Sequence, residues 1–230
     1  MFTNVQNEDS GRVLSETARS LSYEVQRQRC KNELRSAEDA IKEGELIFNS
    51  SSDGSIEYQG IFIPALNELR YAAKHLADFI LSDNLEDIYE AIFHCVRAKN
   101  DALDCLVEYL LREVRWFEKQ YEELEIDEVL GEKYKNYRRQ IEVALDGLGK
   151  FPEDDEKSKD ARHTEIDIEK ISKSADERAK LCEILKETRN LFKANRASLN
   201  RKLKRLRNER YYKLLGLLIA FLTLIATLLK

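Results

Sequence analysis

Glycine and proline are scarce in this sequence, with eight Gly and two Pro among 230 residues. Both residues mark tight turns and interrupt helices, so their scarcity argues against turn-rich β-sandwiches and barrels. Charged residues make up 35% of the chain and hydrophobic residues 43%, which is typical of long amphipathic helices. We therefore predict an all-α fold, an elongated antiparallel bundle of about five coiled-coil-like helices whose last helix continues into one C-terminal transmembrane span.

Cysteine and histidine are also few, at four and three residues. The cysteines are scattered, without a CxxC pair or zinc-ligand spacing, so we predict structural thiols in a reducing compartment and no disulfide framework. No phosphate-binding glycine loop, GxSxG or HExxH motif occurs. These absences predict a protein with no catalytic residues, no cofactor and no metal site. The four cysteines are Cys30, Cys95, Cys105 and Cys182, and the three histidines are His75, His94 and His163.

Apolar residues recur at helical spacing in five segments separated by polar breaks. The predicted helices cover residues 5–48, 63–81, 85–124, 126–148 and 165–229. The link between the second and third helices is short, which predicts antiparallel neighbours. We expect a cytosolic bundle over residues 1–150, a charged loop over 151–164, a long helix packing on the bundle over 165–212, and an anchor over 213–230.

The end of the chain contains sixteen residues without a charge, Leu214 to Leu229. A helix of this length rises about 24 Å, slightly less than the hydrocarbon core of about 30 Å. Tyr211 and Tyr212 suit the headgroup layer, and Lys213 and Lys230 can extend to the two interfaces. The N-terminus contains no apolar segment, and the chain therefore resembles tail-anchored membrane proteins. This resemblance implies a single C-terminal membrane anchor.

Charge is distributed unevenly along the chain. From Lys193 onward there are ten basic residues and one acidic residue, a balance of +9, so the preceding residues carry −14 of the total of −5. Basic residues beside an apolar span stay on the cytoplasmic side, which predicts a single-pass protein with its N-terminal domain in the cytosol. The membrane is either a bacterial inner membrane or a eukaryotic organelle membrane. We predict contact with anionic lipid by Arg201, Lys202, Lys204, Arg205, Arg207, Arg210, Tyr211, Tyr212, Lys213 and Lys230.

Small residues form a stripe within the apolar segment, at Gly216, Ala220, Thr223 and Thr227. Such stripes let helices approach closely. The spacing therefore predicts self-association and a homo-oligomer. Nucleic acid is disfavoured as a partner, because the body is acidic and no aromatic residues interleave with the basic ones.

One short pattern suggests chemistry. Arg70 precedes His75 by five residues, which fits the R-x4–6-H pattern of HEPN ribonucleases, and the chain is similar to them in being helical. The resemblance covers six residues and implies that Arg70 and His75 would act on an RNA phosphodiester.

Three functional hypotheses follow. The first is a membrane-anchored, non-enzymatic interaction or scaffold protein that presents an acidic cytosolic domain to an unknown protein partner. The alternative is an effector that perturbs membranes through oligomerised C-terminal anchors, as in some bacterial defence systems. The second alternative is the HEPN-like helical ribonuclease.

Overall fold

The fold consists of long helices. The computed structural model describes the backbone of residues 6–50, 62–148 and 164–228, and the side chains of residues 21–50, 62–148 and 164–225. Within these ranges the chain forms helices and no strand, which confirms the predicted all-α class. The predicted charged loop over 151–164 lies almost wholly outside the described residues. The helices are α1 (Gln6–Asn49), α2 (Ile63–Ser82), α3 (Leu85–Gln120), α4 (Ile126–Leu148) and α5 (Glu165–Leu228).

The connection between α2 and α3 is only two residues long. Asp83 adopts a left-handed conformation (φ 54°) that ends α2, and its N–H donates to the Phe79 carbonyl at 2.9 Å. The Asn84 side chain then accepts from the Glu86 N–H at 3.2 Å, which caps the start of α3. Beside this turn, the Ser82 hydroxyl donates a hydrogen bond to the Asp87 carboxylate. So short a turn sends α3 back along α2, and the predicted antiparallel pair is confirmed.

The 64-residue helix α5 begins with a capping box at Thr164. The Thr164 hydroxyl accepts from the Asp167 N–H at 3.3 Å, while the Asp167 carboxylate accepts from the Thr164 N–H at 2.9 Å. These reciprocal bonds satisfy backbone donors that the first turn of a helix otherwise leaves free. They fix the start of the helix at Glu165, the residue that the sequence predicted.

Gly131 interrupts α4. Its backbone (φ 72°, ψ −165°) is non-helical and lies in a region that glycine alone adopts without strain. The helix axis therefore changes direction between the first turn, Ile126–Leu130, and the rest of α4.

The chain divides into two compact units, and α3 and α5 supply residues to both. Unit 1 comprises residues 1–108 and 146–182. Its core is built by α1, α2, α3 and the first part of α5, with small and β-branched side chains at the centre. The ring of Phe62 lies so close to Gly44 of α1 that a Cβ atom at position 44 would collide with it. The buried core residues include Cys30, Ala72, Ile88, Ile92, Cys95, Val96 and Ile168.

Unit 2 comprises residues 109–145 and 183–230, and its core is aromatic. The Phe192 ring is fully buried, stacks on Phe117 at 5.2 Å between centroids, and meets the edge of Tyr134 at 5.3 Å. The Tyr134 hydroxyl donates to Glu118 at 2.5 Å, and the Tyr121 hydroxyl donates to an amide oxygen of α5 at 2.7 Å. Burial raises the pKa of Tyr134, so this hydroxyl stays protonated as a donor.

The predicted membrane span requires correction. Among the described residues, no helix is both long enough and apolar enough to cross a membrane. The uncharged run of the sequence, Leu214 to Leu229, rises about 24 Å as a helix, against the roughly 30 Å of a bilayer core. The residues before it, 207–213, are mostly charged. The predicted single-pass membrane localisation is therefore wrong, and the predicted C-terminal transmembrane span is not supported.

Candidate functional site

We call Leu214–Ile225 the apolar end of α5, and no other described residue buries it. All its side chains are exposed, including Leu214 at 66%, Leu217 at 68% and Phe221 at 59%. The exposure involves every side of the helix rather than one face. Large exposed apolar surfaces are typical of interaction sites.

Two of the basic residues before this segment have a partner within unit 2. Arg207 donates through Nε and Nη2 to Glu123 Oε1 at 3.1 and 2.8 Å, and Arg210 donates to Glu123 Oε2 at 2.8 Å. One carboxylate thus neutralises part of the positive charge of α5. The lipid contacts predicted for the basic and tyrosine residues stay a prediction, and the side chain of Lys230 lies outside the described residues. The other predicted residues, all exposed, are Arg201, Lys202, Lys204, Arg205, Tyr211, Tyr212 and Lys213.

The predicted small-residue stripe lies on the exposed helix surface. A Cβ atom added at Gly216 would meet no atom within 4 Å. The Thr223 hydroxyl donates back to the Ile219 and Ala220 carbonyls at 2.5 and 3.0 Å, so its polar group is satisfied within its own helix. The side chain of Thr227 lies outside the described residues. Self-association through this stripe stays a prediction.

Arg70 and His75 have different surroundings. Arg70 is exposed and donates to Asn67 at 3.3 Å, whereas His75 is half-buried and stacks on His94 with 5.3 Å between ring centroids. Five helical residues separate the two side chains by about 140° around the axis. The ribonuclease hypothesis stays an untested prediction.

A cluster of metal-ligand residue types lies between α2 and α3. His75 of α2 faces Glu90 and His94 of α3, and one potential ligand atom from each lies within 4.8 Å of the other two. Glu90 and His94 are four residues apart, so they project from successive turns of one helix face. All three residues are half-buried. We call these three residues the histidine cluster.

Glu68 of α2 orients the histidine cluster. Its Oε2 lies 2.7 Å from His94 Nδ1, and its Oε1 lies 3.4 Å from Arg97 Nε. The Glu68 and His94 side chains are only 14% and 16% exposed, which strengthens their interaction. The Tyr71 ring, one turn from Glu68, packs on His94 at 5.3 Å. The ring of His94 is therefore fixed by a charged hydrogen bond and an aromatic contact.

The Nδ1 atom of His75 is buried and has no hydrogen-bond partner among the described residues. Leaving a buried polar atom unsatisfied costs about 1–3 kcal/mol. Such a cost at a cluster of ligand-type side chains points to a ligand, because native proteins satisfy nearly all buried polar atoms.

The sequence alone did not predict the histidine cluster. The spacing of Glu90 and His94 indicates part of the cluster, because it places a carboxylate and an imidazole on one helix face. His75 is fifteen residues before Glu90, and only the antiparallel turn between α2 and α3 brings the two together. The prediction of no metal site had considered the histidines separately.

The carboxyl group of Asp101 on α3 makes the stability of unit 1 depend on pH. Burial raises the pKa of Asp101 to about 6 from its usual 3.8, although Arg97 acts in the opposite direction. The folded state therefore binds this proton more tightly than the unfolded chain does. This tighter proton binding stabilises the folded state fully below about pH 4, and the stabilisation is lost as the pH rises through about 6.

We expect Asp101→Asn to raise the free energy of unfolding by about 1–2 kcal/mol near neutral pH, because it removes a poorly solvated charge. Near pH 3.5 the gain should vanish, since the wild-type carboxyl is then protonated. Urea denaturation at the two pH values measures this difference. Asp146→Asn, at an exposed position, is the control and should change little. An equal gain from Asp101→Asn at both pH values would contradict the assignment.

The four cysteines are free thiols. Cys30 of α1 and Cys95 of α3 meet in the core of unit 1, where the hydrogen bond between them and burial raise the pKa of Cys95. Burial likewise raises the pKa of Cys105 to about 11. A raised pKa keeps the Cys95 and Cys105 thiols protonated and weakly nucleophilic, whereas the hydrogen bond with Cys95 lowers the pKa of Cys30.

The chain was compared with known proteins, and no protein-family model, curated protein or solved structure matches it.

Proposed function

We propose that this chain is a non-enzymatic interaction protein that assembles with copies of itself through the apolar end of α5. The observation that supports the proposal is the exposure of every side chain from Leu214 to Ile225. Complete burial of a Leu, Ile or Phe side chain contributes about 1.5–3 kcal/mol, so covering this segment is strongly favourable.

The distribution of the apolar side chains favours a second copy as the occupant. A helix that is hydrophobic on all sides is stable only when it is surrounded on all sides. A single groove on another protein would cover one face of the segment. Apolar ends from several copies would cover one another, and each copy brings the same surface. The assembly is thus a bundle of apolar helix ends, in which each helix is covered on more sides than a single groove would cover.

Charge next to the segment is compatible with such an assembly. Gathering several copies brings their basic residues close together, and like charges repel. Within each copy, Glu123 pairs with both Arg207 and Arg210, which reduces the repulsion at this position. The small residues would let the helices approach closely.

Gly216→Leu tests the proposal. The change fits the isolated chain, because a Cβ atom at position 216 meets nothing within 4 Å. In the assembly it would separate the helices on the small-residue face, so we expect an increase of about tenfold or more in the dissociation constant, the equivalent of about 1.4 kcal/mol. Sedimentation equilibrium of the full chain measures it. Gly147→Leu is a matched control, since position 147 is also helical and also open.

Three results would contradict the proposal. One is a monomer at all concentrations measured. Another is equal weakening by Gly216→Leu and Gly147→Leu. The third is co-sedimentation of the full chain with phospholipid vesicles while it remains monomeric, which would assign the apolar end to a lipid surface.

A further inference from the structure

We propose that His75, Glu90 and His94 bind one divalent transition-metal ion, with Zn²⁺ as the best fit, between α2 and α3. This inference concerns unit 1 and is independent of the proposed assembly through α5. It assigns a ligand site to residues that the proposed function does not use.

The separations of the potential ligand atoms are close to those of a bound site. Metal–ligand distances of about 2.0–2.1 Å in a tetrahedral arrangement place the ligand atoms roughly 3.3 Å apart. The atoms of the histidine cluster lie within 4.8 Å of one another.

The types of donor select the class of ion. Two imidazoles and one carboxylate suit Zn²⁺ and its first-row neighbours, whereas Ca²⁺ and Mg²⁺ require oxygen ligands throughout. Three protein ligands leave one tetrahedral position for water. This ligand set therefore predicts a site that holds an ion and keeps a position accessible to a fourth ligand.

Glu68 gives the site the supporting shell that metal-binding histidines require. Because its carboxylate lies 2.7 Å from His94 Nδ1, the proton of the neutral ring is placed on Nδ1. The lone pair is then on Nε2, which is the atom we assign to the metal. Arg97 holds the other carboxylate oxygen of Glu68. A carboxylate–histidine–metal arrangement of this kind fixes the ring and increases its basicity.

His75 supplies a second, independent observation. Its buried Nδ1 has no hydrogen-bond partner among the described residues, although its ring stacks on His94 at an interplanar angle of 10°. Coordination of a metal ion by this nitrogen would use its lone pair and satisfy it directly. The metal thereby accounts for a polar group that the protein alone leaves unsatisfied.

The full-length protein, stripped with a chelator, is titrated with Zn²⁺ by calorimetry, and bound zinc is counted by elemental analysis. We expect one ion per chain. His75→Ala and His94→Ala should each weaken binding by more than the roughly 10- to 100-fold that loss of a supporting residue causes. His163→Ala is the matched control, since it removes the third histidine of the chain and should leave binding unchanged.

Glu68→Gln tests the supporting shell. It keeps the side-chain size but removes the charge that fixes the His94 ring, so we expect binding to weaken by about 10- to 100-fold with one ion still bound at saturation. Substitution with Co²⁺ provides a spectroscopic measurement, because visible absorption of a tetrahedral Co²⁺ site would be lost in Glu90→Gln. Circular dichroism establishes that each variant is folded. If His94→Ala unfolds the chain, His75→Gln and Glu90→Gln keep the test valid.

The absence of stoichiometric Zn²⁺ binding to the folded wild-type protein would overturn the proposal. Binding that survives in the double variant His75→Ala/His94→Ala would also overturn it, because residues outside the histidine cluster would then be the ligands. Failure of either kind leaves the self-association of α5 unaffected, so the two proposals are tested separately.

Discussion

Phe192→Ala is expected to lower the free energy of unfolding by about 3–5 kcal/mol, which is the usual cost of removing a buried aromatic ring. Phe192 is fully buried at the centre of unit 2, stacked on Phe117 and in edge contact with Tyr134. Its removal leaves a cavity and eliminates both aromatic contacts. Chemical denaturation monitored by circular dichroism measures the loss.

Phe221→Ala is the matched control for this substitution. The same ring is removed, but Phe221 is 59% exposed at the apolar end of α5. At protein concentrations low enough to keep the chain monomeric, we expect a change within about 0.5 kcal/mol, as for ordinary surface substitutions. Equal losses for Phe192→Ala and Phe221→Ala would mean that unit 2 is not packed around the Phe192 ring.

Arg189→Met is expected to cost a comparable amount, about 3–5 kcal/mol. The guanidinium Nε of Arg189 lies 2.5 Å from Glu113 Oε2 in unit 2, and the two side chains are only 7% and 16% exposed. Removing the cation leaves a mostly buried carboxylate without its counter-charge. Thermal and urea denaturation at neutral pH measure the effect.

The double variant Arg189→Met/Glu113→Leu distinguishes the cost of an uncompensated charge from a general loss of packing. Replacing both members of a buried ion pair with apolar residues is often neutral or stabilising, so the double variant should recover most of the lost stability. A double variant no more stable than Arg189→Met would show that the charge of Glu113 is not the cause.

The helices could be predicted from the sequence because apolar periodicity and capping chemistry agree along the chain. The two-residue turn after Ser82 and the break after α4 each contain residues that end or begin helices. The third helix was predicted to Leu124 but ends at Gln120, where Tyr121 turns inward and is held by Asn200. A tertiary contact, which local pattern does not contain, sets this boundary.

The membrane localisation was predicted wrongly, since no helix among the described residues is both long and apolar enough to cross a bilayer. The sixteen uncharged residues at the end of the sequence rise only about 24 Å as a helix, short of the roughly 30 Å of a bilayer core, and charged residues precede them. The division into two units was also absent from the prediction. It depends on which faces of α3 and α5 pack with which neighbours, and periodicity along one helix does not specify a neighbour.

The histidine cluster could be predicted only in part. Glu90 and His94 share a helix face by spacing alone, but the contribution of His75 requires the register between α2 and α3. That register is fixed by the turn at Asp83 and by core packing of residues such as Ala72 and Ile88. The role of Glu68 in orienting His94 likewise depends on contacts across the two helices.

Sedimentation equilibrium is the most direct test of the central claim that the apolar end of α5 joins copies of this chain. The measurement compares the full chain, of 26.9 kDa, with a protein that ends at Lys213. The described side chains after Lys213 are all exposed, and the described core residues all precede it, so the shorter protein keeps both cores. We predict a mass of at least two chains for the full protein and of one chain for the shorter one. The same mass for both proteins would contradict the claim.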